Sequence, residues 1–326
     1  IPDERSGRAG GNARGAGRRD GGAAMPDGIV RGFGDPADRS DAFSGAGKAS
    51  GAGGIDRAVD AAFPVWRYGE DGWSAGEDMV AEEIPLTIRL DGEEFVTIVC
   101  SPRDTADLVY GFLAGEGIIA SPDDVARIDW DEAAGFADVA LRRRLDGAAA
   151  DFGRRVIGSC CGRSRQLYFR SDVRTARTSL SRVRMRPEEC LAAMAELQRS
   201  SAEFARTGGV HNAALWEPGR GMIAMRTDIG RHNALDKLLG HCLLSGVPTR
   251  DAAIIFSGRI SSEVLLKTAK IGAAILVAKS APTGLALRLA HDLGITAVGF
   301  VRGGRMNVYT HPERLGANGQ PGSAHD

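Results

Sequence analysis

Cys160 and Cys161 stand side by side between Gly158 and Gly162, and Arg154, Arg155, Arg163, Arg165 and Arg170 all lie within ten residues of Cys161. A thiol acts as a nucleophile only as its thiolate, and nearby cations favour that form. The flanking glycines lower packing and β-propensity, so the pair reads as part of a mobile loop rather than the interior of a strand. A sulfur on such a loop can meet one partner and then another. The same residues also read as two buried small hydrophobes beside a solvated arginine surface, and the local sequence leaves both readings open.

Four further polar stretches could hold a ligand. Asp228-Ile229-Gly230-Arg231-His232-Asn233 gathers an acid, a cation, an imidazole and an amide, although Asp228 or Asn233 equally reads as a helix cap. Asp236 and Lys237, just beyond it, are expected to face water. Ser257-Gly258-Arg259-Ile260-Ser261-Ser262-Glu263 follows an apolar run and opens a helical one, so unpaired backbone N–H groups and Arg259 suit an anion. Ser261 reads as a plain N-cap as well. Lys279-Ser280-Ala281-Pro282-Thr283 repeats the arrangement with Lys279, and two such junctions side by side favour a phosphate-bearing ligand over two unrelated caps. Phe300-Val301-Arg302-Gly303-Gly304-Arg305 sets two guanidiniums around two glycines, which permits close backbone approach and bidentate phosphate contacts. Its other reading is a hairpin turn into residues 306–310. The chain has no CxxC for deaminase-type zinc chemistry, no P-loop and no GxGxxG after a strand.

The elements that must position these groups fall into two halves. Residues 80–90 alternate apolar and polar, Asp91-Gly92 is a hairpin signal, and residues 95–100 resume the alternation. A helix is expected from 101–104, with Leu108, Phe112 and Leu113 on one face, ending at 115–117. A helical turn at 121–124 and strands at 137–141 and 166–170 complete an α+β domain around the cysteines. A stronger helix opens at Pro187, carries Leu191, Met194, Leu197 and Phe204 on one side, and stops at Gly208-Gly209. Strands at 213–216, 222–227, 252–256, 274–278 and 295–300 then alternate with helices at 232–244, 261–271 and 283–293. That order predicts an α/β sheet, partly parallel, whose ligand lies outside the carboxyl ends of its strands. The expected domains are a disordered Gly/Arg-rich tail at 1–62, an α+β domain at 63–180, an α/β domain at 181–316 and a short tail at 317–326. The first sixty residues hold 15 of the 44 glycines and almost no large apolar side chains. Met25 reads as a later start.

Composition bounds the class. The 326 residues are 43% hydrophobic and 25% charged with a net charge of −1, which favours neither bulk nucleic-acid binding nor attachment to a membrane surface. Five cysteines without framework spacing fit a reducing compartment, so the cytoplasm is expected. Arg18-Arg19 lacks the apolar stretch of an export signal, and no apolar run approaches the ~20 residues of a membrane span.

Taken in order, EEIPLTI (82–88), GFLAGEGII (111–119), the cysteine pair, TGGVHNAAL (207–215), DIGRHNALDKLLG (228–240), SGRISSEVLLK (257–267), SAPT (280–283) and GITAVGFVRGGRMNVYTHPERL (294–315) resemble the FdhD family. Its members are sulfurtransferases that act as accessory proteins for formate dehydrogenase. The resemblance implies a persulfide carrier that takes sulfur from a cysteine desulfurase and hands it to a molybdenum bis(molybdopterin guanine dinucleotide) cofactor. It further implies a second domain similar to the cytidine-deaminase fold without zinc, and a homodimer. The family's CGxCG loop aligns on Cys161-Gly162-Arg163-Ser164-Arg165, which gives Cys161 the place of the first cysteine and Ser164 that of the second. The cofactor, with its two pyrophosphates and two guanines, would meet Phe300, Val301, Arg302, Gly303, Gly304, Arg305, Arg259 and Lys279, and no metal ligand is assigned. The rival reading is a non-catalytic guanine-nucleotide-binding regulatory module that uses the same rim and leaves Cys161 inert.

Overall fold

The first pair of strands is closed by Gly69-Glu70-Asp71-Gly72, where Gly72 supplies the positive φ (89°) that the turn requires. Around it β1 (Asp60–Gly69) and β2 (Gly72–Ala81) form a two-stranded antiparallel ribbon. The structure is a computed structural model and describes residues 53–143, 155–157 and 176–317. After the ribbon come β3 (Ile84–Leu90), β4 (Glu93–Cys100), β5 (Val125–Asp131), β6 (Phe136–Leu141) and β7 (Arg155–Ile157), in one sheet of order β5-β6-β3-β4-β7. The β3–β4 hairpin turns on Asp91 and Gly92, with φ of 51° and 89°, as the Asp-Gly signal predicts. One face of this sheet needs a cover. α1 (Thr105–Gly115) provides it, and Leu108, Val109, Phe112 and Leu113 pack on Leu86, Ile88, Val96 and Ile98.

The second half carries α2 (Pro187–Ser200), α3 (Ala202–Thr207), β8 (His211–Glu217), β9 (Gly221–Asp228), α4 (Arg231–Leu244), β10 (Ala253–Phe256), α5 (Ser262–Ile271), β11 (Ile275–Ala278), α6 (Gly284–Asp292), β12 (Thr296–Arg302) and β13 (Arg305–Val308). Its six strands are ordered β13-β12-β11-β10-β8-β9. β10, β11 and β12 are mutually parallel, whereas β8 and β13 run against their neighbours. Strands apolar on both faces need two covers. Ala214, Trp216, Ile255, Val277 and Val298 face α2, and Leu215, Ile254, Phe256, Leu276 and Ala297 face α4, α5 and α6. Among the described residues no helix is long and apolar enough to cross a membrane.

The two halves meet where α1 crosses α4. A Cβ built on Gly111 would lie 1.7 Å from the Asp236 carbonyl oxygen, and one built on Gly240 would lie 1.9 Å from that of Asp107. Both glycines are therefore required by backbone proximity, as at the close crossings that small residues permit. The core residues divide on either side of the boundary expected at 180 and 181, residues 55–139 in one core and 185–315 in the others, and the helix crossing joins them so that the described residues cluster as one compact unit.

Four expectations are corrected. The tail expected to run to residue 62 ends earlier: Ile55 is buried in the first core, its N–H donates to Thr105 Oγ1 at 2.7 Å, and β1 begins at Asp60. Val59 is buried as well, and Arg57 N donates to Pro102 O at 3.1 Å, so a few contacts in a glycine-rich stretch anchor it. The strand expected over 80–90 is two elements, because the chain leaves the ribbon at Ala81 and joins the sheet at Ile84. The helix expected to reach Gly208 breaks at Ser201, whose ψ of 76° is not helical, and Gly208 caps α3 with φ 65°. β5, which alternates only weakly, was not expected at all. The strand expected at 166–170 lies outside the described residues.

Replacing Gly111 or Gly240 by alanine is expected to destabilise the protein by about 3 kcal/mol, the upper end of overpacking costs, because two backbones must separate. Gly69→Ala, where the added atom meets nothing within 4 Å, serves as the control and is expected to cost under about 0.5 kcal/mol. Urea unfolding of the three variants checks the difference.

Candidate functional site

β9, β10, β11 and β12 point the same way, so their carboxyl ends form one edge together with His211 at the start of β8. The loops after these strands are laced to one another. Ser257 N donates to Asn212 O at 3.0 Å, Ile260 N to Ala281 O at 3.1 Å, Thr283 N to Ile260 O at 2.9 Å, and Phe300 N to Ser280 O at 3.2 Å. The rim expected from strand order therefore exists as a physical edge.

At one end of the rim, Asp228 and Lys237 are fully buried, and Asp228 Oδ2 lies 2.7 Å from Lys237 Nζ. Asp228 also accepts from Ser101 N (3.0 Å), Gly230 N (2.7 Å) and Asn233 Nδ2 (2.9 Å), while Lys237 donates to the Ser101 and Thr227 carbonyls at 3.1 and 3.3 Å. Asp236 is likewise buried and meets Lys267 at 2.5 Å. Burial pushes the Asp236 carboxyl up, and the Lys267 ammonium opposes that shift. The expectation that Asp236 and Lys237 face water is thus overturned, because α1 covers the side of α4 that the sequence left ambiguous. Asp228 and Asn233 serve the fold; His232, with Nε2 2.6 Å from Glu263 Oε2, links the first turns of α4 and α5.

The middle of the rim is more open. Ser261 Oγ accepts from Val264 N at 3.3 Å and Thr283 Oγ1 from Ala286 N at 3.4 Å, so both hydroxyls are N-caps. Arg259 is exposed, and Lys279 is half-buried with its Nζ 5.8 Å from the centre of the Phe204 ring. Beside Lys279 opens a pocket of about 200 Å³ walled by Leu197, Phe204, Gly209, His211 and Ser257. Ser201 Oγ, on its lining, is buried and has no hydrogen-bond partner among the described residues. Ser257 Oγ accepts from Asn212 N at 2.9 Å and lies 3.4 Å from His211 Nδ1. Burial, helped by the Arg231 guanidinium, holds the His211 imidazole below its ordinary value, so it is neutral at neutral pH. An apolar slot with a cation, a neutral imidazole and an unused hydroxyl suits a flat polar ring or an anionic group. Reasoning from the sequence missed this pocket because Gly208-Gly209 read only as a helix stop; the histidine two residues later was the available signal.

At the far end, residues 300–305 are a hairpin. Arg302 pairs with Arg305 across Gly303 and Gly304, whose φ of 58° and 71° are those a two-residue turn of this hand requires. The glycines are accounted for by the turn alone. Val301 is 1% exposed and packs in the core, so its side chain is withdrawn from the expected ligand contacts. Phe300 bulges at φ 55° and carries the Arg302 guanidinium 5.8 Å from its ring centre. Arg302 and Arg305 are exposed, and among the described residues no carboxylate lies within ion-pair distance of either.

Cys160 and Cys161 lie outside the described residues. Cys100, Cys190 and Cys242 are buried free thiols, each pushed up to about 12 by burial, with the carboxylates of Asp228 and Glu189 adding to the effect at Cys100 and Cys190 respectively. At neutral pH none of the three is a nucleophile.

Residues 81–316 match the FdhD/NarQ family. The chain is 54% identical over 257 residues to the sulfur carrier protein FdhD of Bacillus subtilis (79% of this chain, 98% of that one), and 56% identical over 241 residues to that of Halalkalibacterium halodurans (73% and 89%). It also resembles the crystal structure of a putative formate dehydrogenase accessory protein from Desulfotalea psychrophila, with a TM-score of 0.64 and 26% identity over 79% of this chain and all of that one.

Two tests follow from the rim. Lys237→Met strands a buried carboxylate and is expected to cost about 3 to 5 kcal/mol in urea unfolding, part of which is recovered when Asp228→Asn is added. An imidazole whose folded pKa lies below its unfolded value near 6.5 contributes stability that is complete above that pH and is lost as pH falls beneath it. Taking the protein from about pH 7.5 to about 5.5 is therefore expected to lower the melting temperature of the wild type more than that of His211→Gln.

Proposed function

Since the chain belongs to the FdhD/NarQ family, we propose that it is a sulfur carrier in formate dehydrogenase maturation that holds its cargo as a persulfide on Cys161. The observation that carries this reading is the distribution of thiols. Three of the five cysteines are buried and inert, which leaves the arginine-flanked pair Cys160 and Cys161 for the chemistry. In loading, the Cys161 thiolate attacks the outer sulfur of a cysteine desulfurase persulfide; a new S–S bond forms, the old one breaks, and the desulfurase thiolate leaves. Handing that sulfur on as sulfide takes up two electrons, which an external thiol supplies by closing a mixed disulfide with Cys161. Cys160 is poorly suited to that role, because adjacent cysteines bridge only with distortion.

The receiving substrate is a molybdenum bis(molybdopterin guanine dinucleotide) cofactor seated along the rim. A guanine portion in the pocket beside His211 and Lys279, with phosphates toward Arg259, Arg302 and Arg305, fits the placement of the apolar slot and the exposed guanidiniums. The likeness of the second half to the cytidine-deaminase fold belongs to the same proposal and draws support from the order β9-β8-β10-β11-β12 with β8 reversed. A homodimer working in the cytoplasm completes it, and three unpaired buried thiols suit that reducing setting.

Intact mass after incubation with a desulfurase and cysteine tests the carrier: one added sulfur is expected on the wild type and on Cys160→Ala, and none on Cys161→Ala. In calorimetry with GDP, Arg305→Ala is expected to bind about ten- to a hundredfold more weakly, the loss of a charge-assisted hydrogen bond, while its loading is unchanged. A regulatory module would bind GDP and load no sulfur. Unchanged GDP affinity in both Arg302→Ala and Arg305→Ala would reduce residues 300–305 to a turn.

A further inference from the structure

The β1–β2 ribbon projects from the body, and its ten-residue strands give it a length of roughly 33 Å. Its root is held by Asp60, which receives Arg206 of α3, and by Ala81 against Gly209. The rest is bare. On one face Trp66, Tyr68 and Trp73 are 60%, 73% and 69% exposed, and Tyr68 and Trp73 are cross-strand partners with ring centres 5.0 Å apart. The opposite face exposes Phe63 and Val80. A two-stranded ribbon is marginal in water, and exposed aromatic clusters of this kind mark protein contacts.

Charge selects the occupant. From Asp60 to Ala81 five carboxylates, Asp60, Glu70, Asp71, Glu77 and Asp78, stand against Arg67 alone, a net charge of −4. That excludes nucleic acid and anionic lipid, and it opposes pairing with the ribbon of a second copy, which would double the charge in one interface. The root adjoins the pocket, whose wall includes Gly208 and Gly209, while the aromatic cluster lies at the other end, beside the turn.

We propose that the β1–β2 ribbon is the docking surface for the protein that receives the finished cargo, a formate dehydrogenase apoprotein presenting an apolar groove bordered by lysines or arginines. This rests on the sulfur-carrier reading. The aromatic rings fill the groove, and Glu70, Asp71 and Glu77 meet its rim. Such a contact buries the faces that water now covers and tethers the acceptor through a ribbon whose root adjoins the rim.

The test measures binding of purified apo-formate dehydrogenase to the full chain, to the triple variant Trp66→Ser, Tyr68→Ser, Trp73→Ser, and to the charge variant Glu70→Lys, Asp71→Lys, Glu77→Lys, which keeps every apolar contact of the fold. Expected are binding by the wild type that weakens with salt, a loss of about a hundredfold in the triple variant and a smaller loss in the charge variant, with GDP binding and sulfur loading unchanged in both. Equal binding by all three proteins overturns the proposal. So does a wild-type dimer, seen by light scattering, that the triple variant converts to monomer, since the ribbon then meets its own copy. So does protection from iodide, in the isolated wild-type protein and with the same oligomeric state in the triple variant, of the tryptophan emission that the triple variant lacks, since the protein then covers its own ribbon. Failure of the wild type to bind the apoprotein also overturns it, and the sulfur loading measured alongside then shows whether the carrier reading stands.

Discussion

The contact between Asp228 and Lys237 joins the end of one strand and the helix after it to a segment more than a hundred residues earlier in the sequence. Asp228 ends β9, Lys237 lies inside α4, and the carboxylate and ammonium share Ser101, which follows β4 and leads toward α1. A buried ion pair is stable only when every remaining donor and acceptor is met, and here three N–H groups on the carboxylate and two carbonyls on the lysine meet that condition. The pair fixes where α4 begins relative to the first sheet. With that position set, Gly240 comes opposite Gly111 and the two helices touch backbone to backbone.

The same constraint orders the rim. α4 starts at Arg231, directly after the strand that ends in Asp228, so Arg231 and His232 are held at the edge where β10 and β11 deliver Arg259 and Lys279. Hydrogen bonds between successive loops keep these groups from drifting apart. The pocket, the exposed cations and the hairpin of Arg302 and Arg305 are then a single edge, with apolar depth at one point and positive charge along the rest. A ligand with a ring at one end and phosphates at the other fits that sequence of environments.

Much of this was legible in the sequence, and the reasons differ from residue to residue. Strand order and rim followed from a regular alternation of apolar runs and helical periods, which local patterning encodes directly. The capping role of Ser261 was visible for the same reason, although its alternative use beside an anion was equally visible. Lys237 and Asp236 were misread because helix periodicity reports one buried face, whereas α4 is buried on two, against its own sheet and against α1. Tertiary contact between distant segments leaves no local trace. The ribbon was missed because its faces are both exposed, so it shows no apolar face of the kind that identifies a strand. The pocket was missed because its walls come from α2, α3, β8 and two loops at once.

A helix crossing closed by two glycines also bears on how the chain can be divided. The segment at residues 176–186, which belongs to no helix or strand, looks like a place to separate an amino-terminal piece from a carboxyl-terminal one. Cutting there leaves each fragment with a bare groove floored by peptide groups, and leaves the carboxyl-terminal one with a charged pair deprived of the Ser101 backbone that solvates it. Neither piece is a module that could be grafted onto another protein. A segment exchanged from another chain keeps this crossing only if it brings a glycine to the contact, a condition that ties α1 to α4 although more than a hundred residues separate them.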